Sequence, residues 1–189
     1  MIIGIAGPTA SGKTTVARML EEKFGAFRIR YSGILSEIAK ERGLDPDDKA
    51  TLQGIFLTER EAQGEDFLTK EMERRLLAVE NDLLVVEGNR RLVDIDTLRR
   101  VAERRNEKLL FLFIDASREA RYLRYNHRLQ KQGDPHVSFE AFIALEANAA
   151  EDQIDDIKGI FSREGHIINT DNKNEEEVFK TVAELLEMK

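Results

Sequence analysis

The chain has 189 residues, a formal net charge of −7 and an apolar share of 41%, which is ordinary for a folded globular protein. The acidic balance argues against general nucleic-acid binding through a basic surface. The absence of cysteine excludes disulfides, thiolate metal sites and cysteine nucleophiles, and it favours a cytoplasmic location. No apolar run approaches the roughly 20 residues that cross a bilayer, so we expect no membrane contact.

The apolar pattern alternates between strands and helices. In chain order it predicts a strand at 1–6, a helix at 15–24, a strand at 26–31, helices at 33–42, 46–63 and 65–81, a strand at 83–86, a helix at 94–105, a strand at 109–114, a helix at 118–131, helical segments from 139 and over 151–161, a strand at 166–169 and a final helix after 174. Capping residues support three helix starts: Ser32, Asp45 followed by Pro46, and Ser117.

Strands that alternate with helices are typical of a parallel sheet covered on both faces. We therefore expect an α/β fold, a doubly wound five-stranded parallel sheet, in one domain over residues 1–189. Ligands of such sheets bind beyond the carboxyl ends of the strands. The residues predicted to lie at those ends are Gly7, Ser32, Glu87, Asp115 and Asn169.

A phosphate-binding loop is the strongest motif. Residues 7–14 read Gly-Pro-Thr-Ala-Ser-Gly-Lys-Thr, the pattern G-x-x-x-x-G-K-T, between a predicted strand and a predicted helix. Free N–H groups and the helix dipole favour negative charge at such a helix start. Lys13 can reach the β and γ phosphates, and the Thr14 hydroxyl can bind Mg²⁺. The predicted nucleotide-binding residues of the loop are Gly7, Thr9, Ala10, Ser11, Gly12, Lys13, Thr14 and Thr15.

A second candidate group follows the strand at 83–86. Glu87 is the expected second anchor for Mg²⁺, usually through water, although a Glu that merely begins a surface loop would look the same. Gly88 comes next, and Arg90 and Arg91 can bind a phosphate of the acceptor. An ordinary solvated arginine pair is the alternative for these two residues.

Further arginines are candidates with weaker signals. Arg118, Arg121, Arg124 and Arg128 lie along one side of a predicted helix, either as a solvated basic face or as a lid that closes over the triphosphate. Arg60 lies in the region where a second substrate would bind, and its alternative is an exposed ion pair with a neighbouring Glu.

These motifs resemble the nucleoside monophosphate kinase group of phosphate-loop proteins, including dephospho-CoA kinases. The resemblance rests on the loop at 7–14, on the strand-three motif at 84–91, and on the segment 166–170 before an acidic helix. It implies a strand order of 2-3-1-4-5, an acceptor-binding region at about 32–82 and a short lid at about 118–138. The residues that it implicates are Ser32, Gly33, Gly88, Arg90 and Arg91 for the acceptor, Arg121, Arg124 and Arg128 for the lid, and Asn169 for the adenine side.

The resemblance implies transfer of the γ-phosphoryl group of ATP, with Mg²⁺, to a nucleotide-like small molecule. An acceptor phosphate would need no base, whereas an acceptor hydroxyl would use Glu87. Dephospho-CoA kinase-like activity is an alternative. Another is a nucleotide-binding switch or NTPase without a small-molecule acceptor, although no Asn-Lys-x-Asp guanine signature is present. The sequence leaves the oligomeric state open.

Overall fold

The computed structural model describes residues 1–148 and 153–187. Its strands are β1 Ile2–Ala6, β2 Phe27–Arg30, β3 Leu84–Asn89, β4 Leu109–Asp115 and β5 His166–Asn169. The helices of this described part are α1 Lys13–Phe24, α2 Tyr31–Glu41, α3 Lys49–Gln63, α4 Phe67–Ala78, α5 Leu92–Arg105, α6 Arg118–Gln132, α7 Phe139–Asn148, α8 Ile154–Glu164 and α9 Glu175–Glu187. None of them is both long and apolar enough to pass through a bilayer.

The strands form one parallel sheet in the order β2-β3-β1-β4-β5, which confirms the predicted fold. The ladder between β1 and β3 is interrupted once, because Ile5 pairs with Glu87 and Ala6 pairs with Asn89. Gly88 is the extra residue, and its φ of 85° is a conformation that glycine adopts without strain. This bulge falls where β1 runs into the phosphate-binding loop.

An apolar layer covers each face of the sheet. Ile3 and Ile5 of β1 face α1 and α9, while Ile2 faces the side covered by α2, α3, α4, α5 and α8. Gly4 lets α5 come close to the sheet, because a Cβ there would lie 2.6 Å from the Leu98 side chain. The β1 strand is therefore buried on both faces. This packing fixes the position at which the following loop begins.

Helices α6 and α7 form a hairpin with an apolar centre of its own. The buried Phe142 ring lies 5.9 Å from the Tyr122 ring and 5.3 Å from the Tyr125 ring. The Asn126 side chain closes the connection between the helices by accepting from Val137 N at 2.9 Å and donating to Val137 O at 3.2 Å. Within the described residues, neither layer on the sheet includes a side chain from this hairpin.

Several predicted boundaries are wrong. Helix α2 begins at Tyr31 with Arg30 at its N-cap, so Ser32 does not cap it, and Ser32 and Gly33 lie in its first turn. The Tyr31 ring is buried, and this tertiary packing lets the helix follow the strand directly. Helix α5 also begins earlier than predicted, at Leu92.

The start of α3 differs for a local reason. Asp48, rather than Asp45, is its cap, because the Asp48 carboxylate accepts from Ala50 N at 3.4 Å and from Thr51 N at 2.8 Å. Asp45 instead accepts from Asp47 N at 2.9 Å and closes a turn. The predicted helical start at 151 lies outside the described residues, and α8 is described from Ile154.

Candidate active site

The loop between β1 and α1 folds around two glycines. Gly7 has a φ of 143°, and a Cβ there would lie 2.1 Å from the Ile114 carbonyl oxygen of β4. Gly12, with a φ of 106°, caps α1, and Ala10 has a φ of 62°. The loop is therefore held against the end of β4 in a conformation that side chains at these glycines would disrupt.

Lys13 folds back over the loop. Its Nζ donates to Gly7 O and to Pro8 O, both at 2.6 Å. Thr14 follows in the first turn of α1 and is exposed. Because the first N–H groups of a helix have no acceptor within the helix, this turn presents donors as well as an ammonium group. The arrangement is suited to binding a polyphosphate.

Buried oxygen atoms line the end of β3 beside the loop. Glu87 is 4% exposed, and its Oε2 has no hydrogen-bond partner, while Arg28 Nη1 lies 4.0 Å from the other carboxylate oxygen. Asn89 donates through Nδ2 to Ile5 O at 3.0 Å and to Val86 O at 2.8 Å, which bridges the bulge. Asn89 Oδ1 and the Ser11 hydroxyl are also buried without a partner. Three acceptor oxygens therefore remain for a ligand near the loop.

Asp94 holds the turn after β3 in place. Its Oδ2 accepts from Arg90 N at 2.9 Å and from Arg91 N at 3.0 Å, and its Oδ1 accepts from Arg91 Nη2 at 3.2 Å. Asp94 is 2% exposed, so this carboxylate forms a rigid support. The hydroxyl of Tyr31 is buried nearby, and burial and the Asp94 charge raise its pKa well above the ordinary value.

Two of the three predicted lid arginines contact the loop. Arg121 Nη1 donates to Thr9 O at 3.3 Å, and Arg124 Nη1 donates to Ser11 O at 3.4 Å. Arg121 also forms an ion pair with Glu146 of α7. Arg118 Nε lies 3.4 Å from the same carboxylate. Arg128 lies instead over the Tyr125 ring at 5.1 Å and is exposed.

The turn after β5 meets the loop from the other side. Thr170 Oγ1 donates to Ser11 O at 3.0 Å, and Arg124 Nη2 donates to Thr170 O at 2.7 Å. Asn169, predicted for the adenine side, is exposed and accepts from Asp171 N at 2.8 Å. Asp171 in turn accepts from Ser117 N, and this hydrogen bond lowers the pKa of the carboxyl.

The predicted acceptor residues are spread more widely. Ser32 and Gly33 lie at the start of α2, which continues directly from β2. Arg60 lies on α3, with Nε 3.4 Å from Glu65 and its guanidinium over the Phe56 ring at 5.7 Å. These are the side-chain contacts of Arg60 that the described residues show. They match the ion-pair alternative, and they do not test whether Arg60 binds an acceptor.

Sequence reasoning missed four residues of this site. Asp94 and Asn89 shape the turn after β3, Glu146 pairs with Arg121, and Thr170 bridges to Ser11. Asp94 lies three residues after the Arg91 N-cap, a position where acidic residues are favoured, so its signal was present in the sequence. The other three act across long sequence separations that no local pattern reveals.

Comparisons with known proteins agree with the fold. A family model described as "AAA domain" matches residues 3–154. A UPF0200 protein of Pyrobaculum aerophilum is 26% identical over 185 residues, covering 98% of this chain and 96% of the relative. A cytidylate kinase of Haloarcula marismortui is 29% identical over 90 residues, covering 47% of this chain and 42% of the relative. The structure of a gluconokinase from Sinorhizobium meliloti 1021 superposes with a TM-score of 0.56 at 17% identity, covering 98% of this chain and 95% of that one.

Proposed function

Because the chain belongs to the AAA domain family of phosphate-loop proteins and has a kinase-like fold, we propose that it is an ATP-dependent phosphotransferase whose acceptor is a nucleotide-like small molecule. The observation that supports this most is the contact of Arg121 and Arg124 with carbonyl groups of the loop that holds Lys13. Three cationic side chains therefore contact the loop at 7–14, which supports its role as the cradle of a polyphosphate. The matching cytidylate kinase favours a nucleotide as the acceptor.

The cradle binds the donor. Backbone N–H groups of the loop and the first turn of α1 hold the phosphate chain, and Lys13 neutralises charge on the β and γ groups. Arg121 and Arg124 approach from the α6–α7 hairpin and stabilise the charge on the transferring group. In this role the hairpin is the lid, extending beyond residue 138 to the end of α7. A cytoplasmic location, where ATP is available, suits this role.

The residues near the cradle fit Mg²⁺. Glu87 offers a buried carboxylate oxygen without a partner, and Thr14 offers a hydroxyl on the first turn of α1. No cluster of three or more His, Asp or Glu side chains among the described residues could hold a metal, so phosphate oxygens and water would complete the shell. When bound, the ion would neutralise charge on the phosphate oxygens.

The acceptor binds on the β3 side of the cradle. Arg90 and Arg91 are candidates for its phosphate, because Asp94 fixes the turn that carries them. Ser32, Gly33 and Arg60, in the acceptor-binding region at about 32–82, are the further candidates for contacts with the acceptor. An acceptor phosphate is already ionised and needs no base, whereas an acceptor hydroxyl would transfer its proton to Glu87.

ADP release with a panel of acceptors tests this function. Purified protein with Mg-ATP should release ADP faster when one of the nucleoside monophosphates, dephospho-CoA or a small phosphorylated metabolite is added. Detection of the phosphorylated acceptor by mass spectrometry would identify the substrate. Slow nucleotide hydrolysis that no acceptor stimulates would instead support a switch or NTPase and would contradict the proposal.

A further inference from the structure

The open edge of the sheet borders a groove that lies apart from the phosphate-binding loop and shares Arg28 and Gly33 with the surroundings of the proposed active site. This β2-edge groove has a volume of about 530 Å³ and is formed by β2, by α2 from Gly33 to Lys40 and by the second half of α4. Among the strands of the described residues β2 pairs only with β3, so its other edge faces the groove. The phosphate-binding loop follows β1, two strands away from this edge.

Backbone groups of β2 point into the groove. Phe27 N donates to Leu83 O of β3 at 2.8 Å, and the groups of a strand alternate in direction. Phe27 and Ile29 therefore bond to β3, while the N–H and C=O of Arg28 and the N–H of Arg30 point outward. An unpaired edge of this kind can accept another extended chain.

Positive charge is concentrated along the groove of an otherwise acidic protein. Arg28 is paired with Glu21 at 3.0 Å, and Arg74 and Arg75 are paired with Glu71. Within the described part of the chain, Arg30 and Lys40 form no ion pair and are exposed. The uncompensated charge of the groove therefore belongs to these two side chains.

The two unpaired cations lie far apart. Arg30 is the N-cap of α2 and Lys40 lies in its last turn, and a helix rises about 1.5 Å per residue, so the backbones of these two residues are about 15 Å apart. An extended peptide spans about 13 Å in four residues, so two of its side chains four residues apart match this spacing. Between them the groove wall includes Phe27, Ile34 and Val79, which favours apolar side chains in the middle of a ligand.

We propose that the β2-edge groove binds an extended acidic segment of a partner protein, which adds to the sheet as a sixth strand. Its recognition feature is a pair of carboxylates about four residues apart, one for Arg30 and one for Lys40, with β-branched or apolar residues between them. Main-chain hydrogen bonds between the segment and Arg28 add it to the sheet, and the charges of Arg30 and Lys40 select an acidic partner.

Hydrogen exchange of individual amides tests the strand addition. The probe is a capped peptide containing Asp-Val-Thr-Val-Asp, added to the ¹⁵N-labelled full chain without nucleotide. We expect the exchange of Arg28 N–H to slow by about tenfold or more, because this group gains an acceptor. The N–H groups of Phe27 and Ile29 already bond to β3 and serve as internal controls. Equal slowing at all three positions, or none at Arg28, would overturn strand addition.

Fluorescence anisotropy with matched peptides and variants tests the charge recognition. Replacing both Asp residues by Asn, or methylating the peptide backbone nitrogens, should weaken binding. Lys40→Glu should weaken it by about fivefold, while Lys180→Glu on the distant α9 should change it less than about twofold. The proposal fails if the Asp and Asn peptides bind equally. It also fails if inorganic phosphate or AMP displaces the peptide, which would indicate a small-anion site.

Discussion

Replacing Lys13 by alanine removes the ammonium group that lies over the loop. Its Nζ is 2.6 Å from two loop carbonyl oxygens, so the charge is already within the cradle that the phosphates would enter. Losing one preorganised donor at a transition state typically costs about 3–4 kcal/mol, which is about 10²–10³-fold in kcat. We expect at least this loss for Lys13→Ala, since the lost donor carries a full charge.

The folded state should be affected much less. The two lost hydrogen bonds are partly exposed, and each contributes about 1 kcal/mol net, so we expect a fall in Tm of about 4–8 °C. Steady-state ADP release with the identified acceptor measures the catalytic loss, and calorimetry with Mg-ATP measures donor binding. Lys180→Ala, an exposed substitution on α9, is the matched control and should behave as the wild type.

A kcat for Lys13→Ala within about threefold of the wild type would refute this reasoning, because no other residue of the loop carries a positive charge. A large fall in Tm with proportional loss of activity would also count against it, since the effect would then be structural.

Gly7→Ala should lower stability by about 1–3 kcal/mol because of the contact with Ile114 O and the positive φ, and a denaturant titration that matches the wild type would contradict the described packing. Asp94→Asn should raise the acceptor KM by about three- to tenfold while kcat changes less, since the turn carrying Arg91 loses its charged support; a change confined to the ATP KM would exclude this role. Hydrogen bonds from arginines, chiefly Arg74, lower the pKa of Glu71 to about 2. Its contribution to stability is therefore present above about pH 4.5 and is lost as the pH falls toward 2. Urea unfolding of Glu71→Gln should accordingly show a weaker loss of stability over this interval than the wild type, and identical profiles would contradict the ion pair.

Local patterns predicted the sheet and the loop well. The strands β1, β3 and β4 were recognisable as short apolar runs buried on both faces, and the strand order agrees with the one that the family resemblance implies. The loop was recognisable because its chemistry lies within eight consecutive residues, 7–14. Patterns among residues that are close together in the sequence were therefore sufficient to predict the sheet and the loop that carry the site.

Helix starts were less predictable, since several capping residues compete within a few positions. Asp45 and Asp48 both suit an N-cap, and only the folded chain shows that Asp48 takes this role. Ser32 was mistaken for a cap because the burial of Tyr31, a tertiary effect, is not visible in a local pattern. The pairing of Arg121 with Glu146 joins residues 25 positions apart, beyond the reach of periodicity.

The separate aromatic centre of the α6–α7 hairpin has a consequence for catalytic turnover. Because Phe142 packs within the hairpin, the lid movement that the proposed function implies would leave both apolar layers on the sheet covered. Product escape would then break polar contacts such as those of Arg121 with Thr9 and of Arg124 with Thr170, and water can replace these partners at little net cost.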